Sequence, residues 1–168
     1  MTNKRNNQGI IFNSPQELSA RIIFILSKFE DKCIGIQELI SLDYLLLHIK
    51  DLNPKLTSFH PDIPLRSGEI IIKRQIITQA IDLLLGRELI RRNYQNEGVS
   101  YKITPLGLKF KNILTSSYAR KLESYSDILY DEVSKIGLGN TLKYVNENYT
   151  QWGSEFVSDS VLQENIDL

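Results

Sequence analysis

Residues whose side chains commonly do chemistry are few in this chain. It contains one cysteine, Cys33, and two histidines, His48 and His60. A nucleophilic thiol needs a neighbouring base, so a dyad of Cys33 with a histidine is the first candidate. However, Cys33 stands between Lys32 and Ile34 in a segment typical of a core element, and free cysteine is among the most buried residue types. We therefore interpret Cys33 as a buried, inert thiol and expect no catalytic residues and no enzymatic activity.

A metal site is the second candidate. His60 and Asp62 are close in sequence, and Asp43 and His48 are further ligands of the types that bind zinc or another transition ion. No cysteine pair accompanies them. A structural role of His60 and Asp62 in a loop stiffened by proline is the alternative to metal binding. A glycine-rich loop ending in Lys-Ser or Lys-Thr, the type that cradles nucleotide phosphates, is absent from the sequence. We therefore expect no metal and no cofactor.

The charge of the chain is zero overall but unevenly distributed. Residues 66–121 carry eleven basic and four acidic side chains, whereas residues 122–168 carry two basic and nine acidic ones. Such asymmetry is typical of a polyanion site or an intermolecular contact, although a solvated charged face is the alternative. The cations predicted to bind phosphate or an acidic partner are Arg66, Arg74, Arg87, Arg91, Arg92, Lys102, Lys109 and Lys111.

Caps and apolar spacing predict the elements that position these cations. Ser14-Pro15 and Thr104-Pro105 are helix starts, because each hydroxyl can accept a bond from the first turn and proline tolerates the first helical position. Cys33–Ile36 is interpreted as a minimal strand, and Gly98 as the turn residue of a hairpin. The predicted helices cover about residues 15–29, 37–49, 67–87, 105–114 and 119–136, and the hairpin strands about 89–94 and 99–103.

This order of elements is that of a winged helix. The stretch Tyr101-x-Ile103-Thr104-x-x-Gly107 resembles the second wing strand and the exit helix of many winged-helix proteins. We therefore predict a mainly α fold, a winged helix-turn-helix with a two-stranded wing and an extra helical C-terminal region. Winged helices bind DNA, proteins or both, so the fold alone does not assign a function.

The chain is predicted to have four parts. These are a disordered N-terminus at 1–11, a winged-helix domain at 12–118, a helical C-terminal extension at 119–157 and an acidic mobile tail at 158–168. The extension has more aromatic and apolar residues than a winged-helix core needs, and aromatic residues are enriched at interface anchors. The predicted anchors are Tyr125, Leu129, Tyr144, Tyr149 and Trp152, with packing of these helices onto the domain as the alternative.

Four stretches of the sequence resemble the middle component of bacterial ABC three-component systems. They are Phe12–Glu17, Leu42–His48, Leu56–Glu69 and Leu114–Ala119, in order over about residues 12–135. In that family the small middle protein is encoded with an ATPase resembling structural-maintenance-of-chromosomes (SMC) proteins and with an effector, often a nuclease. Lamassu-type defence against phage and plasmids is the best known example. The resemblance implies a non-enzymatic adaptor subunit that bridges the ATPase and the effector, with double-stranded DNA contacted through the complex.

A dimeric winged-helix transcription regulator that binds DNA is the alternative function. The third helix would then present Gln75, Thr78, Gln79 and Asp82 to the bases. Glutamine can read adenine, but an aspartate and few cations in this stripe weaken that interpretation. The cations lie instead at the helix start, on the wing and on the exit helix, a distribution that suits phosphate contacts or an acidic protein surface.

The sequence also predicts where the protein works. It contains no apolar run long enough to span a bilayer. The apolar stretch near the N-terminus, Ile10–Phe12, is too short for a signal peptide. We therefore expect a cytoplasmic protein with no membrane partner, and the resemblance to a bacterial family implies a bacterial cytoplasm.

Overall fold

The computed structural model describes residues 14–59, 67–95 and 98–148, with the side chains of residues 67–73 and 95 outside that description. The described chain is mainly helical with one small antiparallel sheet. The helices are α1 (Pro15–Lys28), α2 (Ile36–Leu47), α3 (Ser67–Gly86), α4 (Pro105–Ile113), α5 (Ser117–Ile136) and α6 (Thr141–Asn148). The strands are β1 (Ile34–Gly35), β2 (Ile90–Gln95) and β3 (Gly98–Ile103), and short 3₁₀ turns cover Ile49–Asp51 and Leu138–Asn140.

Both predicted helix starts are confirmed. The hydroxyl of Ser14 accepts a hydrogen bond from the amide of Glu17 at 3.2 Å, at the start of α1. The hydroxyl of Thr104 accepts one from the amide of Gly107 at 3.0 Å, at the start of α4. These caps satisfy first-turn amides that have no partner within the helix.

The sheet differs from the predicted two-stranded wing because it has three strands, in the order β1-β3-β2. Ile34 and Gly35 pair antiparallel with Tyr101 and Ser100 of β3. The minimal strand was predicted, but its pairing with the hairpin was not, because nothing local in the sequence shows which distant strand a two-residue segment joins. This pairing attaches the hairpin to the start of α2.

The core lies between the helices and the sheet and includes residues of α5 and α6. Leu122, Leu129 and Val133 of α5 and Val145 of α6 belong to the same buried cluster as Ile22 of α1. Apolar side chains at helical spacing on α5 therefore bury against the rest of the fold, which is how an amphipathic helix gains most of its stability. The predicted domain boundaries stay predictions, and segments 1–11 and 158–168 lie outside the described residues.

A buried polar network links α1, α2 and α5. The Nε of Arg21 donates to Oδ1 of Asp43 at 2.6 Å, and its Nη1 donates to Oε1 of Glu17 at 2.8 Å. The hydroxyl of Tyr118 donates to the same Glu17 oxygen at 2.7 Å. Burial and the carboxylate of Glu17 raise the pKa of the Tyr118 hydroxyl, so this proton stays on tyrosine. Three helices are thus joined through one arginine and two carboxylates.

A second charged cluster joins α1, α4 and α5 nearer the surface. The Nζ of Lys111 donates to both carboxylate oxygens of Glu123, at 2.9 and 2.8 Å, and Lys28 bonds the same carboxylate. Lys28 also pairs with Asp127. Because three helices each supply a side chain, this cluster holds α4 against α1 and α5.

The carboxylate of Glu123 should make stability depend on pH. Burial raises its pKa, but the hydrogen bonds from Lys111 and Lys28 outweigh burial, so the pKa lies below its ordinary value of 4.5. A carboxyl whose pKa falls on folding stabilises the fold above its unfolded pKa, and that contribution is lost as pH falls through the folded pKa. We expect Glu123→Gln to unfold at lower urea concentration than wild type at about pH 7, with the difference shrinking below about pH 4.5.

The control for this experiment is Asp131→Asn, which alters an exposed carboxylate on the same helix. Its effect on the urea midpoint should be small at every pH. A difference between wild type and Glu123→Gln that stays constant down to about pH 3 would contradict the role given to this carboxylate.

Within the described residues, no helix combines the length and the apolar character needed to cross a bilayer.

Candidate interaction surfaces

Two of the predicted cations lie side by side on the β2–β3 hairpin. Arg91 and Lys102 are directly opposite each other in the antiparallel register, so their side chains project from the same face of the sheet. Arg91 is exposed, and it has no hydrogen bond or ion pair to any other described residue. The pKa of Asp31 is lowered mainly by the hydrogen bond from Lys32 and to a smaller extent by the charge of Lys102. The structure therefore places two like charges together on an accessible strand face.

Arg92, the next residue of β2, lies on the other face and is partly neutralised. Its Nη2 is 3.4 Å from Oδ1 of Asp82 on α3, and both side chains are exposed. An exposed ion pair of this kind contributes about 0–1 kcal/mol to stability. Arg92 therefore remains available to an anion that competes with Asp82.

The other predicted cations are spread over several surfaces. Arg74 on α3 and Lys109 on α4 are exposed. The exposed side chain of Arg87 donates from Nη1 to the carbonyl oxygen of Leu83 at 3.2 Å. Lys111 is held by Glu123 and is only 13% exposed at its side chain, so its position is that of a structural cation rather than of a free one. Arg66 lies outside the described residues.

The polar stripe predicted on the third helix is confirmed as exposed. Gln75, Thr78, Gln79 and Asp82 of α3 all face solvent. Arg74 precedes them, and Arg92 reaches Asp82 from the hairpin. The stripe is thus accessible, with one cation at its start and one at its end.

The predicted anchors that the structure describes make contacts within the fold. The hydroxyl of Tyr125 donates to the carbonyl oxygen of Thr57 at 2.9 Å, and its ring packs edge-on against Phe59. The hydroxyl of Tyr144 donates to the carbonyl oxygen of Asp51 at 3.2 Å. Leu129 is fully buried, so the alternative of packing onto the domain describes its position. Tyr149 and Trp152 lie outside the described residues.

Among the residues considered for catalysis and metal binding, the described pair Cys33 and His48 lies apart. Cys33 is partly exposed, so its predicted burial is wrong. It lines a polar depression of about 540 Å³ together with Arg74 and Ser100, whereas the next residue, Ile34, belongs to the buried core. His48 is buried at the far end of α2, its ring 4.7 Å from that of Tyr44. The twelve-residue helix between them spans about 18 Å.

The other proposed ligands are only partly described. His60 and Asp62 lie outside the described residues, and Asp43 is bound by Arg21. Within the described ranges, no three histidine, cysteine or acidic side chains gather where they could hold a metal ion.

An apolar groove that sequence reasoning missed lies between α1, the end of α3 and α4. Its volume is about 310 Å³, and its walls include Ala20 and Ile23 of α1, Leu84 of α3 and Phe110 and Leu114 of α4. Next to it, α4 exposes Leu106, Phe110 and Ile113, which are 49%, 36% and 70% accessible. Residues spaced by four and three positions lie on one helix face, so groove and helix form one apolar surface.

The groove was not predicted because the sequence does not show which side of α4 faces the core. Leu106, Phe110 and Leu114 have the spacing of a buried stripe, and sequence alone cannot show which side of a short helix meets the core. In the structure the core side is that of Gly107, which is buried, and of Lys111, which reaches Glu123. A Cβ on Gly107 would be 2.1 Å from the carbonyl oxygen of Leu89, so this glycine allows α4 to sit directly on the hairpin.

The described residues define a mainly helical protein whose accessible features include a basic hairpin, the polar stripe of α3 and an apolar groove, all suited to contact with other macromolecules. The chain belongs to the ABC-three component (ABC-3C) system Middle Component 2 family, whose model matches residues 11–155. The family predicted from the sequence is thus confirmed. No curated protein and no solved structure gives a significant match. A middle component of a multi-component system has partner subunits.

Proposed function

We propose that this protein is a non-enzymatic adaptor subunit that bridges an SMC-like ATPase and an effector, a nuclease, in the bacterial cytoplasm. The observation that carries the proposal is membership of the middle-component family over residues 11–155. The complex would act in Lamassu-type defence against phage or plasmids. Engagement of the ATPase on foreign DNA would change the contacts of the adaptor, and the effector would then be assembled or released.

The fold is proposed to be a winged helix. Support comes from the chain order α1-β1-α2-α3-β2-β3-α4 and from the antiparallel sheet in which β1 joins the hairpin. In this interpretation α3 is the third helix of the domain and β2–β3 is the wing. The exposed stripe of α3 is the surface that such a domain turns toward DNA or protein.

The hairpin is proposed to contact an anion, either the phosphates of double-stranded DNA or an acidic surface of a partner. Like charges directly opposite each other on a sheet are destabilising, and Arg91 and Lys102 are such a pair. The carboxylate of Asp31 compensates part of the charge of Lys102, and an anion bound beside Arg91 would relieve the repulsion that remains. Phosphate contacts give affinity without sequence choice, as expected when another subunit selects the target.

Charge reversal on the hairpin tests this proposal. We expect Arg91→Glu combined with Arg92→Glu to abolish protection against phage and to weaken association of the assembled complex with DNA. Both positions are exposed, and a glutamate at each would repel the phosphates that an arginine attracts. The circular dichroism spectrum should match that of wild type, and the free energy of unfolding should change by no more than about 1 kcal/mol, since the exposed Arg92–Asp82 pair is lost. Protection and DNA association are measured with the complete set of neighbouring genes.

The matched control reverses two exposed cations elsewhere, Lys55→Glu with Lys143→Glu. It changes the net charge by the same amount and should leave protection intact. Unchanged protection and unchanged DNA association in the hairpin variant would contradict the proposed contact. A protein that alone forms a dimer and binds one promoter with salt-resistant specificity would contradict the adaptor function and favour the regulator.

A further inference from the structure

The apolar groove and the outer face of α4 form a surface that none of the described residues covers. Phe110 belongs to both, since it lines the groove and is partly exposed on the helix. Ile113 and Leu106 extend the apolar surface along α4. Contiguous exposed apolar surface is uncommon on a soluble monomer and marks contact sites for other proteins.

The shape of this surface fits a helix. Leu106 and Ile113 are two turns apart on α4, about 10 Å along its axis. The groove lies beside that stripe and is bounded on its other side by Ala20 and Ile23 of α1. An amphipathic helix laid into such a groove inserts side chains spaced by three, four and seven residues.

The charged side chains around the groove favour a partner segment with negative charge. None of the residues lining the groove is acidic, and Arg87 is at its edge. The bond from Arg87 to the carbonyl oxygen of Leu83 uses one of its five N–H groups and holds the guanidinium at this edge. Lys109 is exposed beside Phe110 on α4, with no ion pair to another described residue. Arg120 bonds the carbonyl oxygen of Thr115, next to Leu114 of the groove wall.

We propose that the groove between α1, α3 and α4 binds an amphipathic helix of a partner subunit whose apolar face is flanked by acidic side chains. The inference rests on the proposed function, which implies that this chain assembles with other subunits. It goes further because it places the contact with one of those subunits in the groove. The apolar face of the partner helix would cover Phe110 and Ile113, and its acidic side chains would meet Arg87, Lys109 and Arg120. The groove is separate from the Arg91–Lys102 pair, so the two surfaces can be occupied together.

Substitutions on α4 test the groove in the reconstituted complex. We expect Ile113→Asp to weaken binding of this chain to the ATPase or effector subunit encoded beside it at least about tenfold, because a charge would be buried in an apolar contact. Asn112→Asp is the control, since it adds the same charge at the preceding residue, which lies on a different side of the same helix. Lys109→Glu combined with Arg87→Glu should weaken the same binding, by less at high salt than at low salt.

The outcomes separate this inference from the proposed function. If wild type binds neither neighbouring subunit, both the proposed function and the groove assignment are overturned. If wild type binds and Ile113→Asp binds equally well, the adaptor function stands and the groove assignment is wrong. Equal loss in Asn112→Asp and Ile113→Asp, or an altered urea midpoint in Ile113→Asp together with full binding by Leu106→Asp, would also overturn the assignment.

A photo-crosslinking amino acid at position 113 identifies the occupant directly. In the assembled complex we expect it to attach to a peptide of the ATPase or the effector. That peptide should have apolar residues spaced by three and four positions, with acidic residues flanking them. Attachment to a second copy of this chain or to residues 149–168 of the same chain would overturn the proposal. Attachment to a neutral or basic peptide of a partner would overturn the predicted acidic flank.

Discussion

Replacing Asp43 by alanine is expected to lower the free energy of unfolding by about 3–5 kcal/mol, because it leaves Arg21 charged and buried without its main partner. The side chains of Arg21 and Asp43 are both 0% exposed. Burial alone would lower the pKa of the guanidinium, but the carboxylates of Asp43 and Glu17 hold it above its ordinary value, so the arginine stays charged in the fold. Urea unfolding followed by circular dichroism measures the loss.

A double-mutant cycle separates the pair from its surroundings. The variant with Arg21→Met and Asp43→Leu removes both charges, and its cost should be smaller than the sum of the two single changes, since neither charge is then left without its partner. Additive costs would show that the two groups do not stabilise each other. The control is Asp31→Ala, which breaks an exposed pair with Lys32 and should cost no more than about 1 kcal/mol.

This pair also bears on the groove. Arg21 is on α1, between Ala20 and Ile23 of the groove wall, and Asp43 is on α2. Loss of the pair loosens the attachment of α1 to α2, so we expect the Asp43→Ala variant to lose partner binding through unfolding. The loss should follow the fraction unfolded, whereas Ile113→Asp should lose binding while folded.

Replacing Gly107 by alanine is expected to destabilise the protein by about 2–3 kcal/mol, near the upper end of the usual cost of adding volume to a packed site. The added Cβ would be 2.1 Å from the carbonyl oxygen of Leu89 and 2.8 Å from a side-chain carbon of Ile103. Backbone cannot move aside as a flexible side chain does, so α4 must shift away from the hairpin. The better helix propensity of alanine, about 1 kcal/mol, offsets part of this cost.

Gly86→Ala is the matched control for this change. Gly86 ends α3, and no atom lies within 4 Å of the Cβ that alanine would add. That variant should be as stable as wild type or more stable, by up to about 1 kcal/mol. Equal urea midpoints for the two alanine variants would mean that α4 does not need its close approach to Leu89.

Local features of the sequence were sufficient to predict helices α1 to α5 and the hairpin, whereas the bounds of α6 were not predicted. Ser14-Pro15 and Thr104-Pro105 specify helix starts because the cap bond spans only three residues. The turn at Gly98, whose φ of 121° suits glycine, joins two strands in register. The exposed stripe of α3 followed from polar residues at helical spacing. These features depend on neighbours in the chain, which a sequence displays directly.

The candidate site was predicted only in part, for the same reason. Arg91 and Arg92 were recognised as accessible because a hairpin that projects as a wing is exposed, and the structure shows both side chains exposed although they lie on opposite faces of β2. Lys111 has the same charge and a similar setting in the sequence, yet its side chain is bound to Glu123. Nothing in the local sequence distinguishes a cation that meets solvent from one that meets a distant carboxylate.

By itself the sequence determined the family, the capped helices, the hairpin and the concentration of cations between residues 66 and 121. The tertiary structure decided which side of α4 faces the core, that Leu129 is buried, and that β1 joins the hairpin. It also decided which charges are neutralised, since Lys28 and Glu123 are 95 residues apart. Such contacts depend on how whole helices pack. The groove could not be predicted from the sequence because it forms only where α1, α3 and α4 come together.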